Sequence, residues 1–107
     1  MHRQDMVHRD LKPENVLLDF KDKDKFDIKV IDFGFACLYD PKKDAGMDTY
    51  LGTPAYMAPE ICNYQTYTEK VDVWAFGVII FMLLSGQMMF AGNNPKATRK
   101  LVLQGSV

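Results

Sequence analysis

The longest apolar run in the sequence, Val71 to Leu84, limits how this chain can fold more than any other feature. Asp72 is the single charged residue among its fourteen residues. Apolar side chains would cover every side of a helix here, which is typical of a helix buried all around. The run is shorter than the ~20 residues that cross a bilayer. We therefore predict a buried core helix over about residues 69–85 and no membrane span.

Composition narrows the class of protein. The chain has 107 residues, is 48% hydrophobic and carries a formal charge of −1, which fits one small globular unit without nucleic-acid affinity. Cys37 and Cys62 show no metal-ligand spacing, and reduced thiols fit them better than a disulfide. The polar N-terminus shows no signal peptide. We expect a cytoplasmic protein.

Two β-prone runs, residues 16–18 and 28–31, flank a strongly charged segment. Because the charged residues cannot enter a core, we predict an antiparallel hairpin with a long solvated turn over residues 19–27. Residues 35–57 contain glycine and proline but no periodic pattern, so we expect an irregular surface segment there.

Capping residues predict the remaining helices. Proline at position 59 can open a short helix that runs through Cys62. Thr68 is a plausible cap for the core helix, and Gly86 can end it. The pair Asn94-Pro95 begins a last helix over about residues 95–104. The expected fold class is α+β, mostly helical with one short β-hairpin.

The predicted hairpin brings polar residues together at one end. In an antiparallel pair, Asn15 before the first strand lies beside Asp32 after the second. Sparse oxygen ligands of this kind, which leave room for water and phosphate, suit Mg²⁺. Asp10 lies on the same loop as Asn15 and can face the same place.

These side chains include the groups that phosphoryl transfer needs, with Mg²⁺ and ATP as cofactors. We assign Asp10 as the catalytic base, Lys12 to the γ-phosphate, and Asn15 and Asp32 to the metal. For Asp10 alone, a solvated loop carboxylate would be the ordinary interpretation.

Three motifs place the chain beside a known family: His8-Arg9-Asp10-Leu11-Lys12-Pro13-Glu14-Asn15, Asp32-Phe33-Gly34 and Ala58-Pro59-Glu60. Their order and spacing resemble the large, C-terminal lobe of the eukaryotic protein kinases, over essentially all of residues 1–107. Lys12-Pro13-Glu14 is similar to the serine/threonine branch. The segments 85–92 and 97–100 resemble the calcium/calmodulin-dependent and calcium-dependent kinases.

The resemblance implies a partial kinase domain over residues 1–107, with a catalytic loop over 8–15 and an activation segment over 32–60. It implies an ATP-dependent protein serine/threonine kinase that uses Mg²⁺ and a protein substrate with a Ser or Thr acceptor. Calcium-linked regulation would act through regions outside this chain. Glu14 is expected to favour basic residues near the acceptor.

The resemblance also implies roles for residues around the catalytic loop. Thr53 would bond toward Asp10 and Lys12. Asp72 would hold the backbone of the catalytic loop, because an unpaired buried charge is costly. Stabilisation of the first turn of the helix by Asp72 is a compatible alternative.

Arg9, beside the catalytic Asp, is typical of kinases that are switched by phosphorylation of the activation segment. Thr49 is the first candidate acceptor and Tyr50 the second, with ordinary solvent-facing loop residues as the alternative. The other motif residues with expected structural or regulatory roles are Phe33, Gly34 and Glu60.

Some family features are missing from residues 1–107. The sequence contains no glycine-rich phosphate loop and no strand lysine with a glutamate partner. We therefore expect residues 1–107 alone to be inactive and either poorly soluble or loosely folded. A non-catalytic, kinase-derived binding module is the alternative to an enzyme.

Overall fold

A computed structural model describes residues 2–22 and 25–105 of the chain. The described part contains three α-helices and two antiparallel two-stranded sheets, which agrees with the predicted α+β class. The strands are β1 (Met6–Val7), β2 (Val16–Asp22), β3 (Lys25–Val30) and β4 (Cys37–Leu38), and the helices are α1 (Pro59–Cys62), α2 (Lys70–Ser85) and α3 (Pro95–Gln104). Short 3-10 turns cover His2–Gln4, Pro13–Asn15 and Pro54–Tyr56.

The β2–β3 hairpin is confirmed as antiparallel, with Val16 opposite Val30. The prediction of a long solvated turn over residues 19–27 is wrong, because the strands continue through most of that segment. A two-stranded ribbon leaves charged side chains in water even when the backbone is paired, and Lys29 forms an ion pair of 3.2 Å with Asp19 across the strands. Residues 23 and 24 of the predicted turn lie outside the described residues.

A second small sheet was not predicted. Strand β1 pairs with β4, with Met6 opposite Leu38 and Val7 opposite Cys37. The backbone N–H of Tyr39 extends this pairing by donating to the carbonyl of Asp5 at 2.6 Å. The sheet joins the segment before the catalytic loop to the segment after Asp32.

The predicted limits of α1, α2 and α3 agree with the structure. Gly86 follows α2 with φ 73°, in the left-handed region that glycine adopts readily. The side chain of Asn94 accepts the N–H of Ala97 at 2.8 Å and so caps α3. The cap assigned to Thr68 is one residue off, since Glu69 is the N-cap and the Thr68 hydroxyl accepts the N–H of Lys70 at 3.4 Å.

Helix α2 is buried along one side only. Its buried residues, Val71, Asp72, Ala75, Val78 and Ile79, join a core shared with the segments around α1 and α3. The prediction of a helix buried all around is wrong, because the described elements pack against one side and leave apolar residues on the other. Those residues and their exposed fractions are Val73 (62%), Phe76 (58%), Leu83 (71%) and Leu84 (85%). Among the described residues, no helix is long and apolar enough to cross a membrane.

Substitutions on the two sides of α2 should change the free energy of unfolding by very different amounts. Ile79→Ala removes a buried side chain from the core and should lower the free energy of unfolding by about 2–5 kcal/mol. Leu84→Glu changes an exposed position and should alter it by less than about 0.5 kcal/mol while raising solubility. Urea denaturation followed by circular dichroism measures both. Equal losses for the two variants would contradict the one-sided burial of α2.

The two cysteines should differ in reactivity. Cys62 is fully buried, and burial raises the pKa of its thiol more than nearby Arg99 lowers it. Cys37 is partly exposed, and both thiols are free. Because the thiolate is the reactive form, iodoacetamide should label Cys37 first and Cys62 only after urea is added. Mass spectrometry of the wild type and of Cys37→Ser measures this, and fast labelling of Cys62 in the folded chain would contradict it.

Candidate active site

The predicted catalytic loop, residues 8–15, is anchored to the first turn of α2 by one buried carboxylate. The Asp72 oxygens Oδ2 and Oδ1 accept the backbone N–H groups of His8 at 2.8 Å and Arg9 at 2.9 Å. Asp72 is 5% exposed, so charge-assisted hydrogen bonds offset the cost of burying its charge. Arg9 has φ 70°, a conformation that a non-glycine residue adopts at some cost. The hydrogen bonds from Asp72 to the backbone of this loop, which the family resemblance implies, are thus present.

His8 connects the catalytic loop to the end of β3. Its fully buried ring accepts the N–H of Asp10 at Nδ1 (3.1 Å), and its Nε2 lies 2.9 Å from the carbonyl oxygen of Ile31. A backbone N–H can only donate, so Nδ1 is unprotonated and Nε2 carries the hydrogen. The ring also meets Phe33 edge-on, with centroids 5.1 Å apart. The sequence motif by itself predicts no separate role for His8.

Asp10, Thr53 and Lys12 form a connected group. The Thr53 hydroxyl donates to Asp10 Oδ1 at 3.1 Å and accepts from Lys12 Nζ at 3.2 Å. The direct distance from Lys12 Nζ to Asp10 Oδ2 is longer, at 3.9 Å. Thr53 therefore bonds to both residues, as the resemblance implied, and the hydroxyl fixes the orientation of the Asp10 carboxylate.

Gly52 allows this approach of the activation segment. Its φ is 116°, and a Cβ at this position would lie 3.1 Å from the carbonyl oxygen of Arg9. A larger residue would be strained in this conformation and would press on the catalytic loop. The backbone on which Thr53 is mounted thus depends on glycine at the preceding position.

Asn15 and Asp32 lie at the same end of the hairpin, as strand pairing predicted. The carbonyl of Asn15 accepts the N–H of Ile31 at 2.8 Å, directly before Asp32. The buried Asn15 amide donates to the carbonyl of Asp10 at 2.8 Å. Asp32 is exposed, has φ 60°, and accepts the N–H of Gly34 at 3.3 Å.

Those two residues fit a sparsely ligated Mg²⁺. Donation by the Asn15 nitrogen Nδ2 directs its Oδ1 away from that hydrogen bond, and Asp32 presents an exposed carboxylate. Both are hard oxygen donors of the type that Mg²⁺ prefers. No cluster of three or more His, Cys, Asp or Glu side chains that could hold a metal occurs within residues 2–22 and 25–105, so protein ligands alone would not enclose an ion here.

Arg9 is linked to the predicted acceptor site through Tyr67. The guanidinium donates from Nε to the carbonyl of Phe35 at 2.7 Å and from Nη1 to the Tyr67 hydroxyl at 3.2 Å. That hydroxyl donates to the carbonyl of Thr49 at 2.7 Å. Arg9 and the exposed Thr49 line one open cavity of about 290 Å³. Tyr67 is not among the predicted site residues, because nothing local in the sequence marks it.

Tyr50 is placed differently from Thr49. Its ring stacks on Tyr64 with centroids 4.8 Å apart, and the Arg99 guanidinium lies 5.0 Å from the centre of the Tyr64 ring. Burial raises the pKa of the Tyr50 hydroxyl.

Glu60, in the first turn of α1, has no ion-pair partner within 4.0 Å among the described residues. Its expected structural role stays a prediction.

Comparison with known proteins agrees with this geometry. The family model of the protein kinase domain matches residues 1–106. Calcium-dependent protein kinase 4 of Plasmodium berghei is 45% identical over 105 residues, which are 98% of this chain and 19% of that protein. Serine/threonine-protein kinase 33 of Mus musculus is 38% identical over 113 residues, covering all of this chain and 23% of that protein.

A plant relative extends the comparison. CBL-interacting serine/threonine-protein kinase 10 of Arabidopsis thaliana is 45% identical over 95 residues, which are 87% of this chain and 19% of that protein. The chain thus spans about a fifth of the length of the curated relatives it matches. With the family match extending over nearly every residue, this chain belongs to the protein kinase domain family, among relatives that are serine/threonine kinases.

Proposed function

We propose that this chain carries the catalytic loop and the activation segment of an ATP-dependent protein serine/threonine kinase. The observation that supports the proposal best is the hydrogen-bonded group of Asp10, Thr53 and Lys12. It joins a carboxylate, a hydroxyl and an ammonium group from segments more than forty residues apart. Phosphoryl transfer to a hydroxyl needs a base and a cation in such proximity.

In the proposed reaction, Asp10 orients the substrate hydroxyl and accepts its proton. Thr53 occupies Oδ1 of Asp10, which keeps Oδ2 for the substrate. Lys12, which lies 3.9 Å from Oδ2, places positive charge where the transferred phosphoryl group develops negative charge. The proposed acceptor is a Ser or Thr of a protein substrate, and the exposed Glu14 on the same loop favours basic residues near it.

Asn15 and Asp32 are the proposed holders of Mg²⁺ bound with ATP. When bound, the metal supplies charge neutralisation on the β- and γ-phosphates. The chain's contribution is to place both oxygen donors at one end of the hairpin, through the hydrogen bond between Ile31 and Asn15. The calcium-dependent relative supports the further proposal that calcium regulates the whole protein through regions outside residues 1–107.

A non-catalytic binding module is the second candidate. The exposed apolar side of α2, with Leu83 and Leu84 more than 70% exposed, favours it, because apolar patches of this kind mark contact surfaces. A binding module would not need the hydrogen-bonded group around Asp10. The two functions therefore predict different consequences of substituting Asp10.

A segment exchange tests the catalytic proposal. Residues 1–107 would replace the matching segment of the Plasmodium calcium-dependent kinase, and transfer of labelled γ-phosphate to a serine peptide would be measured. Asp10→Asn should lower kcat by about 10²–10⁴, because it removes the proposed base. Asp27→Asn, the same change at an exposed residue of β3, is the matched control. An Asp10→Asn hybrid as active as its parent would contradict the proposal, and an inactive parent hybrid that binds substrate would favour the binding module.

Phosphorylation of Thr49 should raise the activity of the same hybrid by about tenfold or more. Arg9 faces the cavity beside Thr49, and one hydrogen bond between charged groups contributes about 1.5 kcal/mol or more. Thr49→Ala should abolish the increase, and Arg9→Gln should weaken it. Tyr50→Phe is the control, since the Tyr50 ring is stacked on Tyr64. Equal activation of the wild-type and Thr49→Ala hybrids by an activating kinase would contradict this assignment.

A further inference from the structure

A second feature of the activation segment lies outside the proposed reaction: the hydroxyl of Tyr56 faces two methionine sulfurs. Tyr56 is 8% exposed, and its hydroxyl lies 3.7 Å from Sδ of Met88 and 4.0 Å from Sδ of Met82. A thioether is a weak acceptor. The buried hydroxyl therefore has poor partners, and a stronger acceptor at the same place would stabilise it.

The Tyr56 hydroxyl keeps its hydrogen at neutral pH. Burial raises the pKa of this phenol, and the charge of Glu14 raises it further. The group therefore has a hydrogen to donate. Among residues 2–22 and 25–105, its hydrogen-bond acceptors are the two methionine sulfurs.

Met88 is the more accessible of the two methionines. It is 37% exposed and follows α2 in the loop after Gly86, whereas Met82 lies within α2 and is less exposed. Met47 and Met57 are buried, at 7% and 4% exposed. We therefore expect an oxidant in solution to react with Met88 more readily than with the buried Met47 and Met57.

We propose that Met88 is a redox-modification site, at which a peroxide converts the thioether to the sulfoxide and the new oxygen accepts the hydrogen bond of the Tyr56 hydroxyl. In this step the O–O bond of hydrogen peroxide breaks and an S–O bond forms. The sulfur loses two electrons, and the leaving hydroxide takes the remaining proton as water. A methionine sulfoxide reductase reverses the change.

The modification would act on the activation segment. Tyr56 ends the 3-10 turn Pro54–Tyr56, which directly follows Thr53. A stronger bond between Met88 and Tyr56 ties the loop after α2 to the segment that carries Thr53. The site is defined by contacts and not by catalysis, so its test is independent of the proposed kinase activity.

The experiment treats the full chain with low concentrations of hydrogen peroxide and follows each methionine by mass spectrometry. Met88 sulfoxide should form before the sulfoxides of Met47 and Met57. For each variant, the Tm change is the Tm of the oxidised form minus that of the unoxidised form. This change should be more positive in the wild type than in Tyr56→Phe by about 4 °C or more, which corresponds to one hydrogen bond in a chain of this size. Reduction with methionine sulfoxide reductase should restore the original Tm.

Two methionine variants and a second measurement complete the test. In the chain with ¹³C-labelled tyrosine, the Cζ resonance of Tyr56 should move on oxidation of the wild type and of Met89→Leu, but not of Met88→Leu. This measurement decides the matter if Tyr56→Phe fails to fold. Oxidation of Met47 or Met57 before Met88, equal Tm changes in wild type and Tyr56→Phe, or an unmoved Tyr56 resonance would each overturn the proposal.

Discussion

The hydrogen bonds of the buried Asp72 carboxylate are the interaction on which the predicted catalytic loop, residues 8–15, depends. It accepts two consecutive backbone N–H groups, those of His8 and Arg9, and so fixes the direction in which the loop leaves β1. From this point His8 reaches Ile31, and Arg9 reaches Phe35 and Tyr67. A neutral side chain at position 72 would be compatible with the helix, but it would not provide two charge-assisted hydrogen-bond acceptors for the loop. These hydrogen bonds explain why an acidic residue, Asp72, occurs in an otherwise apolar helix.

The hydroxyl of Thr53 bridges the two opposite charges of the proposed site. Lys12 and Asp10 form a direct ion pair, but its N···O distance of 3.9 Å is long, which weakens the attraction between the two charges. The hydroxyl of Thr53 bonds to both, and the direct distance between the charges stays at 3.9 Å. Both groups therefore remain oriented toward the same place while each has a neutral partner. The positive φ of Gly52 is what allows the backbone to deliver that hydroxyl.

The parts of the fold that depend on neighbouring residues could be predicted from the sequence. Capping residues such as Asn94 and glycines such as Gly86 act within one turn, so the limits of the helices could be predicted. The hairpin and the proximity of Asn15 to Asp32 followed from strand pairing. The contacts of Thr53 came from family resemblance, because no periodicity relates positions forty residues apart.

What could not be predicted depends on distant partners. The β1–β4 sheet, the contacts of the His8 ring with Ile31 and Phe33, and the hydrogen bonds of the Tyr67 hydroxyl all join residues that are 18 or more positions apart. Apolar residues around all of α2 showed that no side of it is polar, but they did not show what packs against each side. The many charged residues in the segment 19–27 predict a solvated turn, although a two-stranded ribbon tolerates the same residues. In the β2–β3 ribbon, pairing of the backbone does not require burial of the side chains.

The wide sequence separation of the Asp72 contacts has a consequence for biosynthesis. His8 and Asp72 are 64 positions apart, and ribosomes add about 5–20 residues per second. The catalytic loop is therefore made several seconds (about 3–13) before the carboxylate that organises it, and water must solvate its N–H groups during that interval. Local elements such as the β2–β3 hairpin can form first. The residues that make the proposed chemistry possible are, by this order of events, among the last parts of the chain to acquire their geometry.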